Sequence, residues 1–385
     1  MTGDMSGDVY TSRLAYRAAM ISPGIEMHAV GGGNLGAAVE CAGGTWVADS
    51  TAYSKIGIYS SIPHLLKGKL FQKQLCSYIS SHRIDLAVLC DWGAANCRQL
   101  SFLKKKGIPV LYYFPPGSWR RKGRLGSDVV RYATRIATPF SWSAERFKKE
   151  NCQAEWVGHP ALESFSGDCK RADLRLEFGV NDEEHLVALF PGSRVSEIRA
   201  LAPRLAAASR LIRNRVRVKF VVPVPGAAMM DVVRPYFPEA LCVVGRTRDV
   251  LTAGDVAVVK TGTATLEAAV SGTPQVAVYD FGWIGRLEWL LLWMWKKIPF
   301  VAMPNIILQR KAVPELLGLA CTPEAIATEV LSLLENREKR EKMRLDYREI
   351  RKLLGEQLPY GATDRTVNII LEMLGENALK QPCEG

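Results

Sequence analysis

The sequence predicts an α/β protein of two doubly wound halves, each a parallel sheet with helices on both faces. Three observations carry that expectation. Short apolar runs rich in β-branched residues alternate with helical segments along most of the 385 residues, which is the pitch of a parallel sheet with crossover helices. A polar, mixed stretch at 161–184, with Ser164, Ser166, Gly167 and a run of charges, divides two such series and reads as a linker. The length itself calls for about two cores rather than one. The expected halves are residues 1–165, joined by a C-terminal helix at about 358–385, and residues 175–357.

In chain order, Met1 to Asp8 (MTGDMSGD) is a loop and about Val9 to Met20 an amphipathic helix. A Gly/Ser/Asp loop before a helix normally follows a strand. No room for one precedes Gly3, so the first strand is expected to be missing. Met27 to Gly33 reads as a strand and a glycine turn, and Ile62 to Ser81 as a helix. Asp85 to Cys90 is a buried strand ending at Asp91, followed by a helix at Asn96–Lys106 and strands at Val110–Phe114, Arg135–Thr138 and Ala154–Val157.

The second series opens with a strand from His185, a turn at Pro191-Gly192-Ser193-Arg194, a helix at Ile198–Asn214 and the strand VKFVVPV. Asp255 to Val259 is then a strand buried on both faces, and Lys260 to Thr263 a hydroxyl-rich turn with one glycine. Ala264 to Ser271 has good helix formers, with Leu266, Ala269 and Val270 on one side. Gly272 stops that helix, Pro274 prevents its return, and Gln275 to Tyr279 is the next strand. The final segments, Pro323–Leu354 and Arg365–Leu374, are helical.

Apolar content of 48% and charged content of 23% are ordinary for a soluble globular protein. The net charge of +11 fits a nucleic acid, an anionic membrane surface or a phosphate-bearing substrate. No zinc-finger spacing, basic zipper or aromatic RNA-binding signature accompanies it, so nucleic acid is not expected as a partner. Nine cysteines without C-x-x-C pairs are the pattern of reduced thiols in a cytoplasmic protein. Dispersed histidines point to no protein-built metal site, and no cofactor is expected.

Residues 1–20 lack the apolar core of a secretory signal. Trp283 to Phe300 (WIGRLEWLLLWMWKKIPF) is too short and too charged to span a bilayer. Trp283, Trp289, Trp293 and Trp295 beside Lys296 and Lys297 suit a segment lying at the membrane interface. A helix buried in the domain is the alternative, and so many tryptophans in one short segment favour the interface.

Two turns carry the chemistry. The Thr261-Gly262-Thr263 turn starts a helix, and a helix start offers unpaired N–H groups and a positive dipole end to a phosphate; an ordinary capped helix would use the same residues. Gly192-Ser193-Arg194 puts a close-approach glycine and a cation after a strand. Arginine forks onto two phosphate oxygens as lysine cannot, although Arg194 could instead pair with Glu197. Together the turns would bracket a diphosphate. Two such halves would place ligand at the carboxyl ends of their sheets.

Five motifs then occur in order: GDMSGD at 3–8, VGHP at 157–160, LFPGSR followed by Ser196-Glu197-Ile198, TGTATLEA at 261–268, and MPNIILQR with VPELL at 303–317. With them the chain resembles lipid-A-disaccharide synthase, a GT-B glycosyltransferase family (family 19) of the Gram-negative envelope, over nearly its whole length. The resemblance implies an inverting transfer of a diacylated glucosamine from UDP to an acylated glucosamine 1-phosphate, giving the lipid A disaccharide. It implies a peripheral enzyme on the cytoplasmic face of the inner membrane, working without a metal. By the family pattern Arg194 and the Thr261–Thr265 helix start stabilise the departing UDP. Ser6, Gly7, Gly192, Ser193, Thr261, Gly262, Thr263, Thr265, Glu267 and Asn305 would lie on the donor side, with Glu267 at the ribose hydroxyls. Asp91 is a helix cap or a base on its own residues, and the resemblance favours the base.

The family's second aspartate is Ala94 here, and its Ser-Pro-Ser-x-Trp-Ala-Trp-Arg segment reads Phe114-Pro115-Pro116-Gly117-Ser118-Trp119-Arg120-Arg121. Both departures fall on the acceptor side, so another lipid acceptor is one alternative. A UDP-N-acetylglucosamine 2-epimerase and a non-catalytic basic binding protein are the others.

Overall fold

The computed structural model describes residues 1–50, 61–165, 170–280 and 299–375. Trp283, Trp289, Trp293, Trp295, Lys296 and Lys297 lie outside the described residues, as do Ser166 and Gly167. The chain divides into two compact units, Met1–Pro160 with Leu354–Gly385, and Ala161–Leu353.

The first unit holds a parallel pair, β1 (His28–Gly31) and β2 (Thr45–Asp49), and a parallel four-stranded sheet. The latter runs β3 (Ala87–Cys90), β4 (Val110–Tyr113), β5 (Arg135–Thr138), β6 (Ala154–Trp156) in that order. Met1 and Thr2 join the two sheets. Thr2 N donates to Val30 O at 2.9 Å, Cys90 N donates to Met1 O at 2.8 Å, and the Met1 nitrogen donates to Val88 O at 2.7 Å. Two residues therefore satisfy the facing edges of β1 and β3, as unpaired buried backbone groups must be satisfied. The helix that follows, Met5–Ile21, begins earlier than its apolar periodicity predicts.

Strand β2 escaped the sequence reading because its residues are exposed or half-buried throughout, so no apolar run marks it. β3 and β4 are almost wholly buried, Leu89, Leu111, Tyr112 and Tyr113 completely so, as apolar runs in a parallel sheet covered on both faces should be.

The second unit is one six-stranded parallel sheet. Its strands are β7 (His185–Phe190), β8 (Val218–Val224), β9 (Leu241–Val244), β10 (Val256–Lys260), β11 (Gln275–Tyr279) and β12 (Glu315–Leu317). Their spatial order is β12-β11-β10-β7-β8-β9. From β7 the chain winds outward through β8 and β9, then returns to lay β10 against the other side of β7. The winding direction reverses between β7 and β10, which makes that pair the topological switch point of the sheet.

The polar stretch read as a linker is partly structured. Arg171–Glu177 is a helix whose Leu174 joins the core cluster that includes Leu186 and Val250, and Arg175 holds Asp255 at 3.0 Å. The long helical segment near the end is two helices, Pro323–Glu335 and Arg337–Leu353, with Asn336 between them in extended conformation.

Candidate functional site

Each strand of the switch-point pair ends in one of the two turns singled out from the sequence. β7 leads through Pro191–Ser193 into the helix Val195–Arg213, and β10 leads through Thr261 and Gly262 into the helix Thr263–Ser271. Phe190 pairs with Val259 in the ladder, so the two helix starts are neighbours at the carboxyl edge of the sheet. The opening N–H groups of a helix lack an acceptor four residues earlier, although Thr265 N here turns back onto Gly262 O at 3.1 Å, and both dipoles present their positive ends there. Adjacent helix starts at a switch point are an arrangement suited to an anion.

Glu197 ties the turns to each other. Its Oε2 accepts from Ser193 N at 3.0 Å, while Oε1 accepts from Lys260 Nζ at 2.8 Å and from Arg194 Nη1 at 3.3 Å. Burial alone would raise the carboxyl pKa, but Lys260, the Ser193 N–H and Arg194 outweigh it, and Glu197 is held below its ordinary value and ionised. Gly192 passes directly above this carboxylate with φ of +123°, and a Cβ there would lie 2.7 Å from Glu197 Cβ. Glycine is required for both reasons.

On the other turn, Thr261 N donates to Val278 O at 2.9 Å, and Thr263 opens the helix half-buried. Thr265 is fully buried; its Oγ1 donates to Gly262 O at 2.7 Å and accepts from Met303 N at 3.2 Å. Thr265 thus pins the helix start to the segment Met303–Leu308 rather than pointing outward. Glu267 stands half-buried further along the same helix.

Asn305 is completely buried, and its amide is engaged at both ends. Nδ2 donates to Val313 O and Glu315 Oε1 at 3.0 and 2.8 Å; Oδ1 accepts from Ala312 N and Val313 N at 2.7 and 2.9 Å. Glu315 Oε1 also accepts from Ala302 N at 2.8 Å. These contacts make Asn305 the clasp of the loop before β12.

In the first unit Asp91 follows β3 directly. Asp91 and Trp92 both take left-handed backbone, φ of 44° and 47°, before the helix Gly93–Lys105. Asn96 Nδ2 and Tyr112 Oη both donate to Asp91 O, at 3.0 and 2.9 Å, and fix this unusual turn. The carboxyl is pushed up from 3.8 to about 6, first by burial and then by the charge of Asp4, with a backbone hydrogen bond from Trp92 opposing. A carboxylate tuned towards neutrality is the profile of a general base.

Gly3 is pressed against Trp92, whose Cγ would lie 2.3 Å from a Cβ at that position. Ser6 is half-buried in the first turns of the helix after Gly3, and Gly7 is buried against Thr2. Asp8, which closes the GDMSGD motif, accepts from Asn34 N and Leu35 N at 3.1 and 3.2 Å and so caps the next helix, Gly33–Cys41. The structure thus groups Gly192, Ser193, Arg194 and Thr261 to Thr265 at one edge of the second sheet. Asp91, Ser6 and Gly7 belong to the first. Sequence reasoning passed over Asp4 and Lys260; a lysine closing a buried strand just before the Thr-Gly-Thr turn was the available signal for the latter.

The family model described as lipid-A-disaccharide synthetase matches residues 1–367. The chain belongs to the lipid-A-disaccharide synthetase family. It is 34% identical to the lipid-A-disaccharide synthase of Anaeromyxobacter sp. (strain K) over 362 residues, covering 92% of each chain. With that of Gloeothece citriformis it shares 28% over 386 residues, covering 97% of each. Among solved structures, a UDP-GlcNAc 2-epimerase from Neisseria meningitidis bound to UDP-GlcNAc is similar with a TM-score of 0.63 at 12% identity, covering 98% of each chain. The glycosyltransferase of kitacinnamycin is similar at 0.57 and 14%, covering 94% of this chain and 95% of that one. At such identities the likeness is one of fold, the GT-B architecture of two parallel-sheet halves.

Proposed function

We propose that this member of the lipid-A-disaccharide synthetase family moves a diacylated glucosamine from UDP to an acylated glucosamine 1-phosphate, with Asp91 as base and Arg194 at the diphosphate. The chain is an enzyme, a hexosyltransferase. The observation that carries the assignment of residues is the pair of helix starts at the switch point, joined through Glu197 and bearing Arg194.

In the reaction the acceptor hydroxyl oxygen attacks the anomeric carbon from the face opposite UDP, and the configuration inverts. The bond between that carbon and the β-phosphate oxygen breaks, and its electron pair leaves on UDP. The hydroxyl proton passes to the Asp91 carboxylate. As UDP departs, its growing negative charge is met by the Arg194 guanidinium and by the N–H groups opening the helices Val195–Arg213 and Thr263–Ser271. Ser193, Thr261 and Thr263 would add donors there, and Glu267 would take the ribose hydroxyls. Thr265 and Asn305 support this donor side by holding the helix start and the loop before β12.

Among the described residues no helix is long and apolar enough to cross a membrane. Both substrates carry acyl chains. The net charge of +11 and the tryptophans of 283–300 support work at the cytoplasmic face of the inner membrane. The epimerase likeness is confined to the fold and favours no other reaction.

The test is incubation of the chain with a UDP-linked diacylglucosamine and an acylated glucosamine 1-phosphate in detergent micelles, followed by mass spectrometry. A phosphorylated disaccharide lipid with release of UDP is expected. Release of UDP without that product, or conversion of a UDP-sugar to its 2-epimer, would overturn the assignment.

A further inference from the structure

Lys260 and Arg194 contend for one oxygen atom. Both donate to Glu197 Oε1, Lys260 at 2.8 Å and Arg194 at 3.3 Å, while the other carboxylate oxygen is occupied by Ser193 N. The ammonium is well placed to keep that oxygen: its side chain is 19% exposed, and its Nζ sits 5.1 Å above the Tyr279 ring. Arg194 is 36% exposed and holds Glu197 by a single longer contact. Lys260 closes β10 and Arg194 follows β7, so the arrangement spans the two switch-point strands.

We propose that Lys260 is a positioning residue which neutralises Glu197 and thereby leaves the Arg194 guanidinium available to a nucleoside diphosphate. A half-buried carboxylate next to an arginine is a strong competitor for a phosphate, because the guanidinium fork fits carboxylate and phosphate equally well. With Lys260 in place, Oε1 already has a short charge-assisted partner, and Arg194 can leave it at little cost. Without Lys260, Arg194 becomes the sole side-chain cation on Glu197 among the described residues and is drawn into the carboxylate. Lysine suits the role because its point charge fills one oxygen, whereas the fork at Arg194 is kept for the ligand. Glu197 has its own task, holding Ser193 N and fixing the turn, so it cannot simply be dispensed with.

The inference rests on the assignment of Arg194 to the diphosphate, and the experiment separates the two. UDP is titrated calorimetrically into the full chain and into R194A, K260M, K260R and the double variant K260M/E197Q, at one ionic strength. The expected result for K260M is weaker binding of UDP on the order of tenfold, the size typical of a charge-assisted contact. K260R should bind nearly as the parent does, and K260M/E197Q more tightly than K260M, because glutamine still accepts from Ser193 N but no longer captures Arg194. A residue that merely supports the fold cannot give that recovery, since the double variant would bind as poorly as K260M or worse. K260M binding UDP like the parent, or no recovery in the double variant, overturns the role of Lys260. If R194A itself binds UDP as the parent does, it is the diphosphate assignment that fails.

Discussion

Replacing Asp91 by asparagine should stabilise the fold while abolishing the reaction, and the pH dependence of that stabilisation is the informative part. Asp91 titrates near 3.8 when the chain is unfolded and at about 6 in the native structure. Between those values the native state binds the proton more tightly than the unfolded state, so stability falls as pH rises through the interval. The gap of about two pH units corresponds to about 3 kcal/mol at 1.36 kcal/mol per unit, lost in full above about pH 6. Asparagine keeps the shape and can still accept from Trp92 N, but it carries no charge to desolvate. Asp91→Asn should therefore be more stable than the parent at pH 7 by up to about 3 kcal/mol, by about half of that at pH 5, and by only about 0.5 kcal/mol near pH 4. The measurement is thermal unfolding of both proteins across about pH 4.5–8, reading the transition of the unit that carries Asp91. Transfer, assayed in parallel, should drop by about 10²–10⁴, the usual contribution of a general base. A variant that is less stable at pH 7, or a stability difference independent of pH, would refute the claim that Asp91 is held ionised against its surroundings.

Other outcomes follow from the same contacts. Asp4→Asn should move the acid limb of the kcat/KM profile downward by less than about one pH unit, since burial rather than Asp4 is the larger cause of the raised Asp91 pKa; an unmoved limb would remove Asp4 from the account. Arg194→Ala should lower kcat by about 10²–10³ with an unchanged melting temperature, measured with saturating donor. Asn305→Ala should act mainly on stability, by about 2–4 kcal/mol in denaturant unfolding, because the four hydrogen bonds of this buried amide lose their partner at once. Changing Trp289, Trp293 and Trp295 together to polar residues should leave the chain folded but free of sedimenting anionic vesicles, and continued sedimentation would exclude that segment as the membrane contact.

Much of the second unit was readable because its signals are local. The apolar run before the Thr-Gly-Thr turn, the Gly272 stop and the strand after Pro274 all fall between Val256 and Tyr279, and the structure gives β10, a helix ending at Ser271 and β11 in those places. Gly272 adopts φ of +82°, the left-handed terminus that the sequence indicated. What could not be read is set by contacts between distant residues. Two residues at Met1 and Thr2 carry no periodicity, yet they satisfy the edges of β1 and β3, the latter 87 positions away at Val88.

The same kind of long-range contact separates the residues proposed to bind from those that hold the turn in place. A motif such as TGTATLEA is a string of small and hydroxylated residues, and sequence alone gives each of them equal claim on a phosphate. In the folded chain Thr265 turns its hydroxyl onto Gly262 O and Met303 N, Asn305 spends its amide on the loop before β12, and Asp8 caps a helix. Gly262 is exposed and Thr263 half-buried. Thr265 therefore fixes the geometry of the turn that carries Gly262 and Thr263. The requirement is physical: backbone N–H groups discriminate a diphosphate only if they are held before the ligand arrives, since ordering them on binding would consume the affinity they supply. Buried polar side chains with every partner inside the protein do that holding, which makes their substitution a question of stability first and of rate second.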